Sequence, residues 1–590
     1  MSSTTTGSQE TQSQVVILKD ILHLYGNKSK FDVTITETGV SCVQIDNAKP
    51  RTHLLEFKDI VGCDCMKGRT VDDTSAYLTI YAYPHKKKII GRKTARCRET
   101  LTIKFDQKNS FEENQNDVKV WRTAVSALLN DVSVTSIQDI VTLPERSPKQ
   151  MLVLVNPFSG PGKALQIFQQ KVVPVFAEAG VHFKMVITER QNHAKEIVKS
   201  MALDQWCGVV IVSGDGLIYE VVNGLMQRPD WEKAIKTPLG CLPGGSGNAL
   251  ACSINKESGE PWTDNVVLHS SFVLVKHKVV PMDLVAIDTL DGRSYSFLSV
   301  TWGLIADIDI ESERFRSLGG ARFTVEAVAR LINLRQYRGK LSYLPIQGEA
   351  ARIQRPGLQR SVTMTEQAVS PQGHQPVRST SVVDMPFKET DRPQEDGTIG
   401  VNGNGENGSG ENGESGLERV ATKSVHSVNG EVSSEVGSET AQNGAPLSDS
   451  VNNNQLGDGN GPRVDLPPLD EPVPDDWVTI EDDFVHVSAC YQTLLGADIM
   501  MTPESKMNDG FIYLCFTRIA NTSKKQLLAH LVNMETGAHL KDPAFEMVKV
   551  KAFRLEPITP NGHISVDGEE VSYGPIQGYV LPGMARVMSL

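Results

Sequence analysis

The chain has few cysteines, no long apolar run and no excess of positive charge. Its nine cysteines in 590 residues are scattered. Cys63 and Cys65 are the one close pair, and a single intervening residue is not the usual zinc spacing. This predicts free thiols in a reducing, intracellular setting rather than a disulfide framework. No stretch of about 18 apolar residues occurs, so no transmembrane helix is expected. Met1 to Gln14 is polar without an apolar signal core, and the chain does not open Met-Gly, which argues against a myristoyl anchor. Lys and Arg number 59 against 71 Asp and Glu, a formal net charge of -12, which argues against generic nucleic-acid binding. A P-loop is missing too. Asn156-Pro157-Phe158-Ser159-Gly160-Pro161-Gly162-Lys163-Ala164 has Ala164 where a magnesium-binding Ser/Thr belongs, and no glycine at the first position.

What is present is organised around Val209-Val210-Ile211-Val212-Ser213-Gly214-Asp215-Gly216-Leu217. Four aliphatic residues in a row read as a buried parallel strand. Two glycines then permit a tight turn and close ligand approach. Glu220, Val221, Val222 and Leu225 begin a helical pattern. Asp215 therefore sits at the carboxyl end of a strand, where open α/β sheets bind ligands. The plainer alternative is that Asp215 only caps the helix. Two further glycine-rich turns follow strands: 156–164 after Met151–Val155, and Pro243-Gly244-Gly245-Ser246-Gly247-Asn248 after Leu239–Leu242. Such turns opening helices point backbone N–H groups at an anion. Three of them in one β-α-β-α unit predict a polyphosphate ligand.

Ser-Gly-Asp-Gly-Leu, followed by Glu220-Val221-Val222-Asn223-Gly224-Leu225 and Arg228-Pro229-Asp230-Trp231-Glu232, resembles the sphingosine kinases, within the diacylglycerol kinase-like lipid kinase superfamily. The Asn-Pro-Phe turn is similar to the type 2 branch. The resemblance covers 149–347 and 476–590. It implies an α/β fold of two lobes: an α/β nucleotide-binding lobe at 149–275, and an antiparallel β-sandwich lipid lobe at 276–347 and 476–590. It further implies ATP and Mg2+, with sphingosine and related sphingoid bases as phosphoryl acceptors and sphingosine 1-phosphate as product. Asp215 is the implied general base. Ser213, Gly214, Asp215, Gly216 and Asp309 are implied substrate contacts. Implied nucleotide contacts are Asn156, Pro157, Phe158, Thr188, Glu189, Arg190, Gln191, Asn192, Glu220, Gly245, Ser246, Gly247, Arg316, Arg322, Asp567, Gly568 and Glu569. No magnesium ligands are assigned.

Several of these have plain alternatives. Thr188 reads as a helix cap, Glu220 as a solvent-facing first-turn acid, the two arginines as surface ion-pair partners, and Asp567-Gly568 as a hairpin turn. Asp309 stands in an apolar run with alternating acids, Trp302 to Glu313, where a buried carboxylate is costly unless bonded. Leu304, Ile305, Ile308 and Phe323 are candidate tail-lining residues, with core packing as the alternative. A diacylglycerol or ceramide kinase would share the nucleotide turns, and a lipid-sensing scaffold would need none of the chemistry.

The remaining chain frames this unit. Residues 1–14 are expected to be disordered. Over 15–131, strand-like runs (Val15–Leu18, Phe31–Ile35, Val40–Ile45, His53–Val61, Ala76–Ala82 and Thr100–Phe105) precede a helical pattern of Val118, Trp121, Val125, Leu128 and Leu129. This β-rich pattern resembles a pleckstrin-homology-like barrel. Inside it, His85 to Arg98 is densely basic. It reads as a solvated loop, or as a nuclear-import or anionic-membrane segment. Phe323 to Tyr343 begins as a basic amphipathic helix whose default role is packing, with Val325, Val328, Leu331 and Ile332 on one face. The resemblance adds calmodulin binding over Arg322–Tyr343. Residues 348–475 are dominated by Gly, Ser, Asn, Glu and Pro and predict a disordered insert, with Arg378-Ser379-Thr380-Ser381 as a candidate phosphorylation site. Cytoplasmic and nuclear location with peripheral membrane association is expected.

Overall fold

The computed structural model describes residues 15–68, 70, 72–87, 94–142, 150–346 and 461–590, with backbone alone at 141–142, 316–317 and 418–419. The expected insert falls mostly outside these residues, as do the phosphorylation candidate, the N-terminal 14 residues and Lys88–Lys93 of the basic run.

The α/β lobe begins with four parallel strands in the order Phe183–Ile187, Gln150–Val155, Trp206–Ser213, Leu239–Pro243. Val209 and Ile211 face one helical layer, built on Leu217, Val221 and Leu250. Val210 and Val212 face the other, with Phe168 and Phe176. A strand sealed on both faces explains the unbroken aliphatic run, since each buried Val or Ile adds roughly 1.5–3 kcal/mol.

The sheet does not end at the lobe. Ile576–Ser589 joins it through Val587 opposite Leu239 and runs on into the second lobe. There it pairs antiparallel with Lys278–Thr289 and Phe545–Pro557. This 14-residue strand has no counterpart in the sequence reading. Pro582 and Gly583 punctuate it like a turn. The structure absorbs them as an irregularity in register against Met282/Leu284, where Gly583 takes φ 56. The buried Asp283 accepts from Gly583 N and Gly510 N, both at 2.6 Å. A backbone that looked like a stop is thereby stitched into the sheet.

The second lobe continues through Tyr337–Pro345, Val478–Cys490, Ser299–Gly303, Ile564–Val566 and Glu569–Val571, with Ile512–Arg518 branching from Val478–Cys490. Two short strands, Gly292–Ser296 and Ser299–Gly303, are separated by a bend. The Ser296–Ser299 bend is fixed by Asp567, which accepts from Ser296 Oγ and from the N–H groups of Phe297, Leu298 and Ser299 at 2.6–3.0 Å. By contrast, Val478–Cys490 is one unbroken 13-residue strand. Residues 461–475, expected to belong to the insert, already pack on this lobe. The fully buried Arg554 donates to the carbonyls of Pro467 and Pro468 at 2.9 and 3.0 Å.

Residues 16–105 form an antiparallel sheet closed by helix Phe111–Leu129, which buries Val118, Trp121, Ala124 and Val125. The run expected over 53–61 breaks into Thr52–Glu56 and Ile60–Lys67. The described ends of the basic stretch pair antiparallel, His85–Lys87 against Thr94–Arg96, and they are not a free cationic loop. Arg96 is buried, donating to Glu260 of the α/β lobe at 2.6 and 2.9 Å and to Asp59 at 2.8 Å. Arg98 donates to Glu178 at 2.6 Å. Burial acts to raise the Glu260 carboxyl, but hydrogen bonds from His269 and Arg96 and the Arg96 charge hold it at about 2.

Candidate functional site

One cavity of about 1260 Å³ lies where the glycine turns meet the second lobe. It is built by two different means. On the α/β side the wall is backbone. Ser159 Oγ, buried in the first turn, accepts from Gly214 N at 3.1 Å and from Ser213 Oγ at 3.1 Å, tying the first turn to the second. Asn248 ties the third turn to itself, accepting from Gly245 N at 3.1 Å and donating to Gly245 O at 2.7 Å. A Cβ at Gly245 would lie 2.6 Å from Gly214 Cα and N, so these turns touch only because both residues are glycine. The buried Ser246 Oγ has no partner within the protein. A backbone cradle with an unpaired hydroxyl fits a phosphate chain, and ATP is the nucleotide this cradle would hold.

Asp215 opens helix Asp215–Met226 and is buried. Its carboxylate accepts from Ala249 N at 2.7 Å and Leu250 N at 3.1 Å, the first amides of helix Ala249–Glu257. It therefore caps a neighbouring helix rather than its own. Burial raises its carboxyl above the ordinary range, and these two amides act against that rise. Asn156, Phe158, Thr188, Arg190, Gln191, Asn192, Glu220, Ser213, Gly214, Gly216, Gly245, Ser246 and Gly247 share the same cavity wall, whereas Pro157 and Glu189 do not line it. Thr188 is no helix cap. Its Oγ1 donates to Val155 O at 3.3 Å, and helix His193–Ser200 starts after Asn192 at φ 63. Glu220 is not a free surface acid, since it accepts from Ala194 N at 3.2 Å.

On the other side the wall is side chains from distant strands. Asp309, on helix Leu304–Glu311, accepts from Ser565 Oγ at 3.0 Å. Burial pushes its carboxyl up to about 6, opposed by Ser565 and by the charge of Arg322. Arg322 is buried, ion-paired with Glu313 and stacked on Phe323 at 4.4 Å, and its Nε has no partner within the protein. The Arg316 side chain lies outside the described residues. Asp567 and Gly568 form a two-residue turn with φ of 54 and 87 between Ile564–Val566 and Glu569–Val571. Burial pushes the Asp567 carboxyl up to about 7 against its four donors. Its carboxylate is thus turned to the Ser296–Ser299 bend, while Gly568 and Glu569 approach Asp309 and Gly216.

From Asp309 the cavity continues between Ile305, Ile308, Phe323, Leu331, Leu531 and Met534. Leu304, offered as lining, is core with Val485 and Leu527. Helix Ala321–Ile332 departs from its expected packing. Leu331 is buried, but Val325, Val328 and Ile332 are 44%, 51% and 74% exposed. The inward face carries charge instead, with Glu326 receiving Arg330 at 2.8 Å and Arg314 at 2.7 Å. Beyond Asn333 the chain is the strand Tyr337–Pro345, paired on both sides, so the helix ends well before Tyr343.

Glu569 lines the cavity with its carboxylate beside Gly216, and is an oxygen donor that suits a hard divalent cation such as magnesium. A separate group, Asp307, Glu311 and His563, has metal-ligand spacing. Arg335 already pairs with both acids at 3.2 and 2.8 Å, and Arg330 with Glu311. Sequence reasoning missed Ser159, Asn248, Ser565 and Ser299. The first two stand inside the glycine turns and were findable there. Ser565 and Ser299 are ordinary strand serines whose role appears only once strands 260 residues apart are paired.

Family models of the diacylglycerol kinase catalytic domain and of the YegS C-terminal NAD kinase beta sandwich-like domain match residues 150–287 and 474–589. Human sphingosine kinase 2 is 37% identical over 95% of this chain and 89% of its own length. Rat sphingosine kinase 1 is 35% identical over 75% of this chain and 91% of its own. A solved diacylglycerol kinase from Bacillus anthracis, 13% identical, covers 76% of this chain and 98% of that one with a TM-score of 0.39.

Proposed function

The chain belongs to the sphingosine kinase family, and on that premise we propose that it transfers the γ-phosphate of ATP to the primary hydroxyl of sphingosine and related sphingoid bases, yielding sphingosine 1-phosphate. The observation that carries the reading is Asp215: a buried carboxylate at the seam between a backbone cradle for phosphates and an acid-headed apolar channel. Burial raises its carboxyl and so makes the carboxylate a stronger base. The two amides of helix Ala249–Glu257 fix its orientation. Asp309 supplies the anionic partner for a sphingoid ammonium, held in place by Ser565. The glycine turns and Arg322 hold and neutralise the phosphates, as phosphoryl transfer demands. Magnesium, when bound, would neutralise phosphate charge, and Glu569 is the residue that would hold it together with phosphate oxygens.

The proposal extends to setting. Among the described residues no helix is long and apolar enough to cross a membrane. The outward Val325, Val328 and Ile332, beside the exposed Leu528 and Val532 of helix Lys524–Asn533, support a peripheral visit to an anionic membrane surface at the channel mouth. Cytoplasmic and nuclear residence is part of the same proposal, supported by the exposed His85, Lys86 and Lys87 of the basic stretch. Calmodulin binding over Arg322–Tyr343 belongs to the same proposal, with helix Ala321–Ile332 as the amphipathic element it would engage.

The test is magnesium-ATP-dependent phosphorylation by the purified protein of sphingosine, ceramide and diacylglycerol in parallel. Turnover of sphingosine above the other two is expected. Activity on diacylglycerol or ceramide alone would leave a lipid kinase of another specificity, and ATP binding without turnover of any lipid would favour a scaffold.

A further inference from the structure

Strand Ser299–Gly303 alternates strictly. Val300 and Trp302 point into the sandwich core. Ser299 and Thr301 line the cavity on the opposite face. Thr301 is 5% exposed, and its Oγ1 is buried with no hydrogen-bond partner within the protein. A buried hydroxyl left unpaired is costly, so this one is either wasted or reserved.

The neighbours of Thr301 favour the second. Across the sheet it faces Ser565 on one side and Ser488 on the other. Ser565 Oγ is committed to Asp309 at 3.0 Å, and Ser488 Oγ to His486 Nδ1 at 3.4 Å. Of the three hydroxyls on this rung, Thr301 alone is unspent, and it sits beside the one that orients Asp309. No hydrogen bond within the protein would be lost if its χ1 changed rotamer. A turn of χ1 exchanges methyl and hydroxyl at the cavity wall.

We propose that Thr301 is a specificity-determining residue of this site, whose hydroxyl bonds a second hydroxyl of the lipid head group, next to the one that is phosphorylated. The assignment follows from charge. A carboxylate such as Asp309 is the complement of an ammonium, whereas a neutral donor-acceptor such as Thr301 is the complement of another hydroxyl. Sites with a buried polar group built for a substrate hydroxyl reject the analogue that lacks it, because the protein group is then left unpaired. The inference rests on the sphingoid-base reading above and names which bases that site prefers.

The experiment compares kcat/KM for a 2-amino-1,3-diol base with that for a 2-amino-1-alcohol of equal chain length, in wild type, Thr301→Val and Thr301→Ser. Valine keeps the shape and removes the hydroxyl; serine keeps the hydroxyl. Thr301→Val is expected to lower kcat/KM for the diol about 5- to 20-fold, mainly through KM, and to leave the mono-alcohol within about twofold. Thr301→Ser should stay near wild type on both. Equal losses on both substrates, with or without a fall in melting temperature, would mean a packing role and overturn the assignment. No loss on either would mean the hydroxyl is satisfied by water, which also overturns it. A wild type that phosphorylates neither base would instead bring down the proposed function, and this inference with it.

Discussion

The two walls of the cavity bind by opposite means. The α/β wall is made of backbone: three glycine turns, each at the end of a buried strand, the first two tied together by Ser159 and the third braced by Asn248. The sandwich wall is made of side chains: Asp309, Ser565 and Arg322 arrive from three separate segments, with Ser565 bonded to Asp309 and the Arg322 charge acting on it. A backbone wall is specified locally, because a glycine turn after a strand already fixes where its N–H groups point. A side-chain wall exists only after distant strands have paired. The first kind tolerates almost no added volume; the second is sensitive to charge and pH.

The sharpest way to break this contrast is Gly245→Ala. Its Cβ would meet the Gly214 backbone at 2.6 Å, and neither turn has a flexible side chain to yield. We expect nucleotide binding to weaken by at least about 100-fold, the cost of roughly 3 kcal/mol of forced separation. Sphingoid-base binding measured without nucleotide should hold within about twofold. Equal damage to both ligands would show that the walls are not independent.

On the side-chain wall, Asp309→Asn should cost about 10- to 100-fold in kcat/KM for sphingosine while the KM for ATP stays near wild type. The same residue sets a pH dependence. Binding a cationic amine needs the charged carboxylate, and burial holds this carboxyl up at about 6. Sphingosine kcat/KM should therefore fall as pH drops through about 6 in wild type, and this step should be absent in the variant. For folding the sign reverses. A carboxyl raised above its ordinary value costs stability as pH rises from about 4 to 6, so Asp309→Asn is expected to melt no lower than wild type at pH 7. A smaller effect is expected at Glu220, which accepts from Ala194 N at the mouth of the Thr188–Asn192 segment. Glu220→Gln keeps an acceptor but loses the charge, and should raise the KM for ATP only about two- to fivefold. A larger loss would mean that Glu220 meets the nucleotide or its metal directly.

The same contrast explains what the sequence made legible. The α/β strands, the three turns and the placement of Asp215 are all short-range features. So is the Asp567-Gly568 turn, whose two positive φ values suit Asp and Gly. The long strand Ile576–Ser589 was not legible, because its Pro-Gly irregularity is tolerated only with Asp283 beside it. The outward face of helix Ala321–Ile332 was misjudged for a similar reason. Periodicity finds an apolar stripe but not which side the core is on, and here Arg322, Glu326 and Arg330 take the inside. Arg96 read as part of a solvated basic run until Glu260, 164 residues away, was placed against it.

The central claim is that Asp215 acts at the seam as a base rather than as a helix cap alone. The most direct measurement is Asp215→Asn, with single-turnover phosphorylation of sphingosine and the affinities for ATP and sphingosine measured on the same preparation, and a melting curve to verify the fold. The account predicts a transfer rate lowered by about 10²- to 10⁴-fold with both affinities within a few-fold of wild type. A transfer rate near wild type, or a loss matched by equal loss of nucleotide affinity, would contradict it.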